Sequence, residues 1–169
     1  MRINLEWLRE ADACIESREE WKSRSMEEID GIELVQKLMI EDKFRWANWL
    51  IVRLMTHEQK IQYAIFAARQ VIEIYEKKNP VDNRPRKAIE AAEKYLKNPT
   101  AENKNAANAA ADAAYAAAYA TDAAAYAAAY AAADAAAYAA ADAAYAYAKK
   151  KLQIKILKNG IKILKGGAK

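Results

Sequence analysis

Residues 105–148 read NAANAAADAAYAAAYATDAAAYAAAYAAADAAAYAAADAAYAYA, a stretch with neither glycine nor proline. Apart from Thr121 and Tyr147, its larger residues recur at a mean spacing of about 3.6, which is one turn of an α-helix. On a helix, the aspartates and nearly all the tyrosines therefore lie on one line, and alanine covers the remaining surface. We call this line the Tyr/Asp stripe: Asp112, Tyr115, Tyr119, Asp122, Tyr126, Tyr130, Asp134, Tyr138, Asp142 and Tyr145.

The length of this segment raises the question of whether it is one helix. A continuous helix over residues 105–148 would be roughly 66 Å long at about 1.5 Å per residue, which exceeds the width of a compact domain of this size. Thr121–Asp122 is an alternative N-cap at which the segment would fold into a helical hairpin. The unbroken phase of the stripe across Thr121 favours one helix, and both arrangements stay open at this stage.

The whole composition predicts an all-α protein. Four glycines and three prolines in 169 residues are too few for a turn-rich β fold, whereas alanine, lysine and glutamate are strong helix formers. We predict a bundle of about seven helices with a long alanine-rich helix. Its parts are a helical bundle over residues 1–100, the Ala/Tyr/Asp-rich long helix or hairpin of the same domain over 101–148, and a basic amphipathic tail helix over 149–169.

Apolar residues at helical spacing place the individual helices of the first hundred residues. The predicted helices are Leu5–Lys22, Ile32–Ile40, Lys43–Thr56, Glu58–Tyr75 and Arg86–Lys97. Thr56 or His57 is the predicted start of the fourth, and Asn79–Pro80 breaks the chain after it. Pro85 suits a first helical turn, and Thr100 is the predicted N-cap of the alanine-rich segment.

Charge is distributed unevenly along the chain, whose net charge is +4. Residues 149–169 hold eight lysines and no acid, and residues 105–148 hold four aspartates and no base, so that the first 104 residues balance. Because the tail alone makes the protein basic, we expect no nucleic-acid partner. The apolar residues of the tail predict that it docks on the bundle with its lysines in water. The alternative is a helix lying on an anionic membrane surface.

Catalytic motifs are missing from the sequence. No Ser-His or Cys-His motif accompanies the single histidine, His57, and the single cysteine, Cys14, has no CxxC companion. We find no phosphate-binding glycine loop and no HExxH motif, and there are too few His and Cys residues for a metal site built from them. We therefore expect a protein that is not an enzyme and that has no catalytic residue, no metal and no cofactor.

Three smaller features have a structural interpretation that we prefer to a functional one. Trp46 and Trp49, three residues apart on an apolar helix, are interpreted as core and not as a ligand-binding box. Cys14 is interpreted as a small buried hydrophobe and not as a reactive thiol. The basic run Arg84–Lys87 is interpreted as a solvated helix start whose charges meet Glu73, Glu76 or Asp82; the alternative is a loop that contacts an anion or a partner.

Location follows from what the sequence lacks. Residues 1–10 are charged, without the apolar centre of a signal peptide, and no stretch of about 20 strongly apolar residues appears. A single cysteine offers no intramolecular disulfide. These observations predict a cytoplasmic protein.

The Tyr/Asp stripe has three interpretations. Tyrosine provides a large rigid contact area at low entropic cost, and interleaved aspartate adds directed negative charge, a combination suited to recognising a basic partner. Alternatively the stripe lines a groove or the core, where each aspartate would need a basic partner. In the third interpretation it faces water on a spacer helix, although exposed tyrosines would then leave much apolar area unused.

Several segments together resemble a known family: Ala13–Cys14 with Trp21, Trp46–Leu54, Ala67–Val71, and the string RPRKAIEAA of residues 84–92. They are similar to the type-five-like immunity proteins found beside bacterial polymorphic toxins and in phage genomes. The RPRKAIEAA string after a short Asn/Asp/Pro loop is the most distinctive of them, and the alanine-rich segment and short apolar tail helix that follow are also similar. The resemblance implies a helical binding protein that neutralises a toxin or a defence system.

The leading functional prediction is therefore a non-enzymatic immunity or anti-defence protein that occludes a basic surface of a protein toxin or effector with the Tyr/Asp stripe. The alternative is a small-molecule-binding, sponge-like helical protein with a Tyr-lined groove. A scaffold with membrane affinity in its tail is a third class, and we do not expect a membrane partner. An exposed alanine face is compatible with oligomers.

Overall fold

The computed structural model of the protein describes residues 1–25, 27–78, 80–105 and 138–166, and for residues 78 and 138–145 it describes the backbone alone. These residues form helices joined by short turns and one pair of two-residue strands, which confirms the all-α class. Most of the alanine-rich segment lies outside the described residues, so the choice between one helix and a hairpin does too. The strands are β1 (Arg2–Ile3) and β2 (Ile29–Asp30), and the helices are α1 (Leu5–Glu10), α2 (Ile15–Ser23), α3 (Gly31–Ile40), α4 (Phe44–Leu54), α5 (His57–Arg69), α6 (Ile72–Lys78), α7 (Arg84–Lys97) and α8 (Tyr138–Leu164).

The chain divides into two compact units. Unit 1 comprises Met1–Lys60 and Gln153–Lys169, and unit 2 comprises Ile61–Leu152. The tryptophans of the chain, Trp7, Trp21, Trp46 and Trp49, all belong to unit 1. Tryptophan fluorescence therefore reports on unit 1 alone.

The first predicted helix, Leu5–Lys22, is two helices in the structure, and that prediction was wrong. α1 ends because Asp12 adopts a left-handed backbone conformation with φ of 55°. The amide of Ala13 then donates to the carbonyl of Leu8 at 2.9 Å, and the amide of Asp12 donates to that of Arg9 at 3.1 Å. These paired bonds form a Schellman helix end, in which glycine usually takes the left-handed position. Because this residue is aspartate and not glycine, the sequence pattern did not indicate that the helix ends here.

α3 and α4 pack against each other across a turn of the same kind. Asp42 has φ of 59°, and the amide of Lys43 donates to the carbonyl of Leu38 at 2.8 Å. The two helices confirm the predicted Ile32–Ile40 and Lys43–Thr56 segments to within two residues at each end. Their apolar faces supply much of the core of unit 1, through Leu34, Val35, Phe44, Ala47, Leu50 and Ile51.

The two strands pair antiparallel, with Ile3 opposite Ile29, and both isoleucines are buried. The next residue along from β2, Gly31, donates its amide to the carbonyl of Met1 at 2.8 Å. A Cβ at Gly31 would lie 2.9 Å from both δ-carbons of Leu54, so the start of α3 lies close to the end of α4 and leaves little room for a side chain. Two-residue strands are too short for any alternating pattern to predict them.

The C-terminal part of α8 belongs to unit 1 and docks through its apolar side. Leu157, Ile161 and Ile163 are buried, and the Gln59 side-chain amide donates to the carbonyl of Ile163 at 3.1 Å. Six lysines of this helix are exposed, and so is Lys165 directly after it; the six are Lys149, Lys150, Lys151, Lys155, Lys158 and Lys162. The prediction that the tail packs its apolar residues and leaves its lysines in water is confirmed.

Two predicted helix starts are confirmed by their caps. The amide of Gln59 donates to the hydroxyl of Thr56 at 3.3 Å, and the amide of Thr56 donates to the Gln59 side chain at 3.0 Å. This reciprocal pair is a capping box. At Thr100 the hydroxyl accepts from the amide of Asn103 at 3.2 Å, and residues 101–105 are helical.

The predicted helix Glu58–Tyr75 was wrong, because the structure has α5 and α6 there. The amides of Gln70 and Val71 each donate to a carbonyl only three residues earlier, at 3.1 Å. The Gln70 side chain also donates to the carbonyl of Phe66 at 3.0 Å. The break thus satisfies its own backbone groups without glycine or proline, and no sequence signal marked it.

The N-cap of α3 generates a test of how unit 1 is stabilised. The Asp30 carboxylate accepts from the amides of Ile32 at 2.9 Å and Glu33 at 3.2 Å, and the bond from Glu33 is the main reason that its pKa is lowered. We expect Asp30→Ala to lower the free energy of unfolding by about 1 kcal/mol. Asp30→Asn keeps the acceptor and should lose much less. Denaturant unfolding followed by tryptophan fluorescence measures both variants, and an equal loss in the two would show that charge, and not capping, stabilises this end.

Candidate functional site

Most of the Tyr/Asp stripe lies outside the described residues, namely Asp112, Tyr115, Tyr119, Asp122, Tyr126, Tyr130 and Asp134. The other members, Tyr138, Asp142 and Tyr145, lie on α8. At about 100° per residue, their three positions share one face of this helix and position 147 lies on the opposite face. Tyr147, which is not part of the stripe, is 70 % exposed.

Four exposed lysines of α8, from Lys151 to Lys162, and Lys165 directly after the helix follow one another at intervals of four and three residues. They therefore share one face, which we call the basic face. Among the described residues, no acidic side chain forms an ion pair with these lysines. Like charges at this spacing repel one another on a helix, so water solvates the face in the isolated chain.

The RPRK run begins α7 in unit 2, and its charges meet the acids that the sequence predicted. Asp82 accepts from the Arg84 guanidinium at 2.8 and 2.7 Å and from the Tyr75 hydroxyl at 2.6 Å. Arg86 donates to Glu76 at 2.6 Å. The Arg84 hydrogen bonds, followed by that from Tyr75, hold the pKa of Asp82 well below its usual range. This arrangement orders the loop and the first turn of α7, in keeping with the structural interpretation of the run.

Unit 1 contains a cleft of about 750 Å³ that the sequence did not predict. Buried apolar residues contribute to its lining, among them Leu8, Leu34 and Leu50. Trp46 and Trp49 also line it, and both are half-buried. The interpretation of this tryptophan pair as core was therefore incomplete, because both residues are only half-buried and line the cleft.

The tryptophans are held in place by contacts outside the cleft. The rings of Trp7 and Trp49 meet edge to face, with centroids 6.2 Å apart. The Arg53 guanidinium lies 3.8 Å from the centroid of Trp49, and the Lys43 ammonium lies 5.0 Å from that of Trp46. Cation–π contacts of this kind are worth about 0.5–1 kcal/mol at exposed positions. These contacts fix the two tryptophans of α4 that line the cleft, Trp46 and Trp49, which we call the aromatic wall.

A group of ion pairs joins α2 to the turn between α3 and α4 at the edge of the cleft. Arg24 donates through both guanidinium nitrogens to Glu41, at 2.6 and 2.8 Å. Glu20 pairs with both Arg24 and Lys43. The Arg24 hydrogen bonds are the main cause that lowers the pKa of Glu41 to about 2. Of the charged residues lining the cleft, Glu20 and Arg24 are consequently occupied by partners within the protein.

Three other groups of the lining come from α2. Cys14 is exposed, so the prediction that it is buried was wrong: it occupies the N-cap position of α2, where the chain turns after Ala13. Its Sγ lies 3.4 Å from the hydroxyl of Ser17. Arg18 is half-buried and forms no ion pair within the described part of the chain. Trp21 is only 6 % exposed, and its indole N–H has no acceptor among the described residues.

The described residues were also compared with what a metal site and a membrane-spanning helix require. No group of three or more His, Cys, Asp or Glu side chains within ranges 1–25, 27–78, 80–105 and 138–166 is placed to hold a metal ion. No helix in that part of the chain is long and apolar enough to cross a bilayer.

The protein is thus all-α in its described residues, its sequence carries an acidic, tyrosine-rich segment, and its helix α7 begins with the RPRK run. The model of a family described as "Imm-5 like putative immunity protein" matches residues 51–155, more than half of the chain. The protein belongs to this family. The matched range includes the RPRKAIEAA string and the whole Tyr/Asp stripe, whereas Trp21, Trp46 and the cleft precede it. No curated protein and no solved structure matches the chain.

Asp82 provides a test of the loop that begins α7. Asp82→Ala removes the carboxylate that accepts from Arg84 and Tyr75, and we expect the first turn of α7 to become less stable. Asp82→Asn keeps an acceptor without charge and should destabilise this turn less. Because no tryptophan lies in unit 2, amide hydrogen exchange of α7 is the appropriate measurement. Unchanged protection in the alanine variant would refute a structural role for Asp82.

The low pKa of Glu41 predicts a pH dependence of unit 1. A carboxylate whose pKa falls from 4.5 to about 2 on folding stabilises the folded state above pH 4.5, and this stabilisation disappears as the pH falls towards 2. The side chain is 31 % exposed, so we expect Glu41→Gln to cost only about 1 kcal/mol at neutral pH. The difference between wild type and variant should vanish near pH 2.

Thermal unfolding followed by tryptophan fluorescence from pH 7 to pH 2 measures this effect. Glu33→Gln is the matched control, because Glu33 forms a single exposed ion pair with Lys37 at 3.3 Å. It should cost about 0.3–0.5 kcal/mol at most. A Glu41→Gln penalty that is the same at pH 7 and pH 2 would exclude the ionised carboxylate as its cause.

Proposed function

We propose that this protein neutralises a toxin by binding it, without catalysis, and that the Tyr/Asp stripe is the binding surface. Membership in the immunity-protein family supports the first part. The composition of the stripe supports the second, because tyrosine is enriched where protein interfaces concentrate their binding energy. Such side chains offer much contact area for the loss of few rotatable bonds.

Charge favours a basic partner surface. Residues 105–148 carry four aspartates and no basic residue. An acidic surface of this kind accelerates association with a basic partner and disfavours acidic ones. The immunity protein would then act by covering a basic active site or substrate channel of the toxin.

The observation that carries the proposal is the arrangement of positions in α8. Positions 138, 142 and 145 share a face, and Tyr147 lies on the other side of the same helix. The short alanine side chains around the stripe allow a partner to approach the helix closely. A helix face that presents tyrosine and aspartate at intervals of about four residues matches the anchor spacing of helix recognition.

The test uses the protein encoded by the gene next to this one as the candidate toxin. Its expression in a bacterial host should arrest growth, and co-expression of the wild-type immunity protein should restore it. The variant Tyr126/Tyr130/Asp134→Ala should bind the toxin at least about tenfold more weakly, since single interface anchors are worth more than 1 kcal/mol. Titration calorimetry at two salt concentrations measures the affinity and its electrostatic part.

A matched pair of single variants separates the stripe from general effects on α8. Tyr145→Ala removes a stripe residue, and Tyr147→Ala removes an exposed tyrosine on the opposite face. Both should leave the helix content unchanged by circular dichroism, because alanine is the strongest helix former. We expect only Tyr145→Ala to weaken binding. Equal affinity in wild type, the triple variant and both single variants would disprove the stripe as the binding surface, while restored growth would still support immunity.

A further inference from the structure

The cleft of unit 1 has no part in the proposed binding surface, and all of its lining residues precede the family-matched range. We propose that it is a separate binding site for a small aromatic acid, a ligand with a planar apolar body and one anionic group. The aromatic wall takes the body, and the N-terminal half of α2, with Arg18, takes the anion.

The size and lining of the cleft suit such a body. A volume of about 750 Å³ is within the range of small-molecule sites, which are mostly apolar with a few polar groups. Leu8 and Leu50 are buried beneath it, and Trp46 and Trp49 present half-exposed rings. Aromatic rings that stack or meet edge to face attract one another beyond the effect of the apolar area that they bury. A planar ligand gains both contributions here.

Arg18 identifies the charge of the ligand. Its side chain is half-buried, lines the cleft and forms no ion pair among the described residues, whereas Arg24 beside it is fully engaged by Glu41 and Glu20. A partly desolvated guanidinium without a counter-charge is unfavourable, and a carboxylate would supply that charge through a bidentate pair.

The first turn of α2 adds to the attraction of an anion. Residues 14–17 line the cleft, and Cys14, at the N-cap position, makes no side-chain hydrogen bond to the helix amides. A helix N-terminus carries a partial positive charge and free N–H donors. Glu20 is paired, and the other two acids of the lining, Asp12 and Glu16, are balanced in number by Arg18 and Arg45. Of these four charged residues only Arg18 is half-buried, and the other three are exposed to water.

Two fluorescent probes of similar shape test the proposal on the intact protein. Anilinonaphthalene sulfonate is an aromatic anion, and phenylnaphthylamine is its uncharged counterpart. Energy transfer from tryptophan to either probe reports on unit 1, where all the tryptophans lie. We expect saturable binding of the anion that Arg18→Gln weakens about tenfold, the value of one charged hydrogen bond. The uncharged probe should bind wild type and Arg18→Gln alike.

The matched control is Arg9→Gln, which removes an exposed arginine of α1 that does not line the cleft. It should leave the affinity for the anion unchanged. Equal weakening by Arg9→Gln and Arg18→Gln would overturn the proposal, because net charge alone would then explain binding. An anion affinity unaffected by Arg18→Gln would overturn it as well.

Cys14 offers a second readout that does not depend on fluorescence. It is the only cysteine of the chain and is exposed at the cleft, so the alkylation rate with iodoacetamide measures access to this site. Saturating anionic probe should slow alkylation of wild type, and Trp46→Ala should abolish this protection by removing an aromatic wall. Circular dichroism verifies that the variant is folded. Alkylation that is equally fast with and without bound probe would place the probe elsewhere and refute the site, without bearing on toxin neutralisation.

Discussion

The paired hydrogen bonds that end α1, from the amides of Asp12 and Ala13 to the carbonyls of Arg9 and Leu8, determine what the first fifty residues can do. A single helix over Leu5–Lys22 would be roughly 27 Å long and would keep residues 12–17 in its middle turns. Ending the helix at Asp12 instead makes residues 14–17 the start of a new helix, with free amides and a partial positive charge. The cleft is lined by those residues, so its chemistry depends on this one turn.

Aspartate in the left-handed conformation is costly for the chain. The conformation is unfavourable by roughly 1–2 kcal/mol for an ordinary residue, although Asn and Asp tolerate it better than others. Asp12, Ser25 and Asp42 all adopt it at helix ends. The bonds to the last carbonyls of each helix offset the cost, and at α1 the burial of Leu8 and Ala13 adds to them. Glycine would relieve the strain, but at Asp12 it would also remove a charge from the cleft rim.

Features set by neighbouring residues were predictable from the sequence. Thr56 and Thr100 cap the helices that they precede, and Pro85 lies in the first turn of α7. Arg84 and Arg86 meet acids only two and ten residues away. Each of these follows from local geometry, which the order of residues specifies directly. The docking of α8 was also predictable, because apolar residues that pack and lysines that stay in water alternate along its sequence.

Features that depend on distant residues were not predictable. The cleft brings Leu8, Trp21 and Trp46 together from three helices, and helical periodicity cannot tell a ring that is packed all round from one with a free side. The helix ends at Asp12 and Gln70 lacked glycine and proline, so the apolar pattern ran through them. One signal in the sequence does point to the cleft: all the tryptophans fall within the first fifty residues together with several arginines, and these two residue types are enriched where binding energy is concentrated.

The two proposed sites, the stripe and the cleft, differ in the charge of the ligand that each would attract. A segment with four aspartates and no base has a negative potential and attracts cationic groups, with a strength that falls as salt is added. A half-buried, unpaired guanidinium next to helix amides attracts a single anion, and salt screens such a partly buried contact less. No one ligand satisfies both. The family match covers the stripe and begins after the residues that line the cleft, so membership in the immunity family bears on the acidic segment and leaves the cleft outside the matched range.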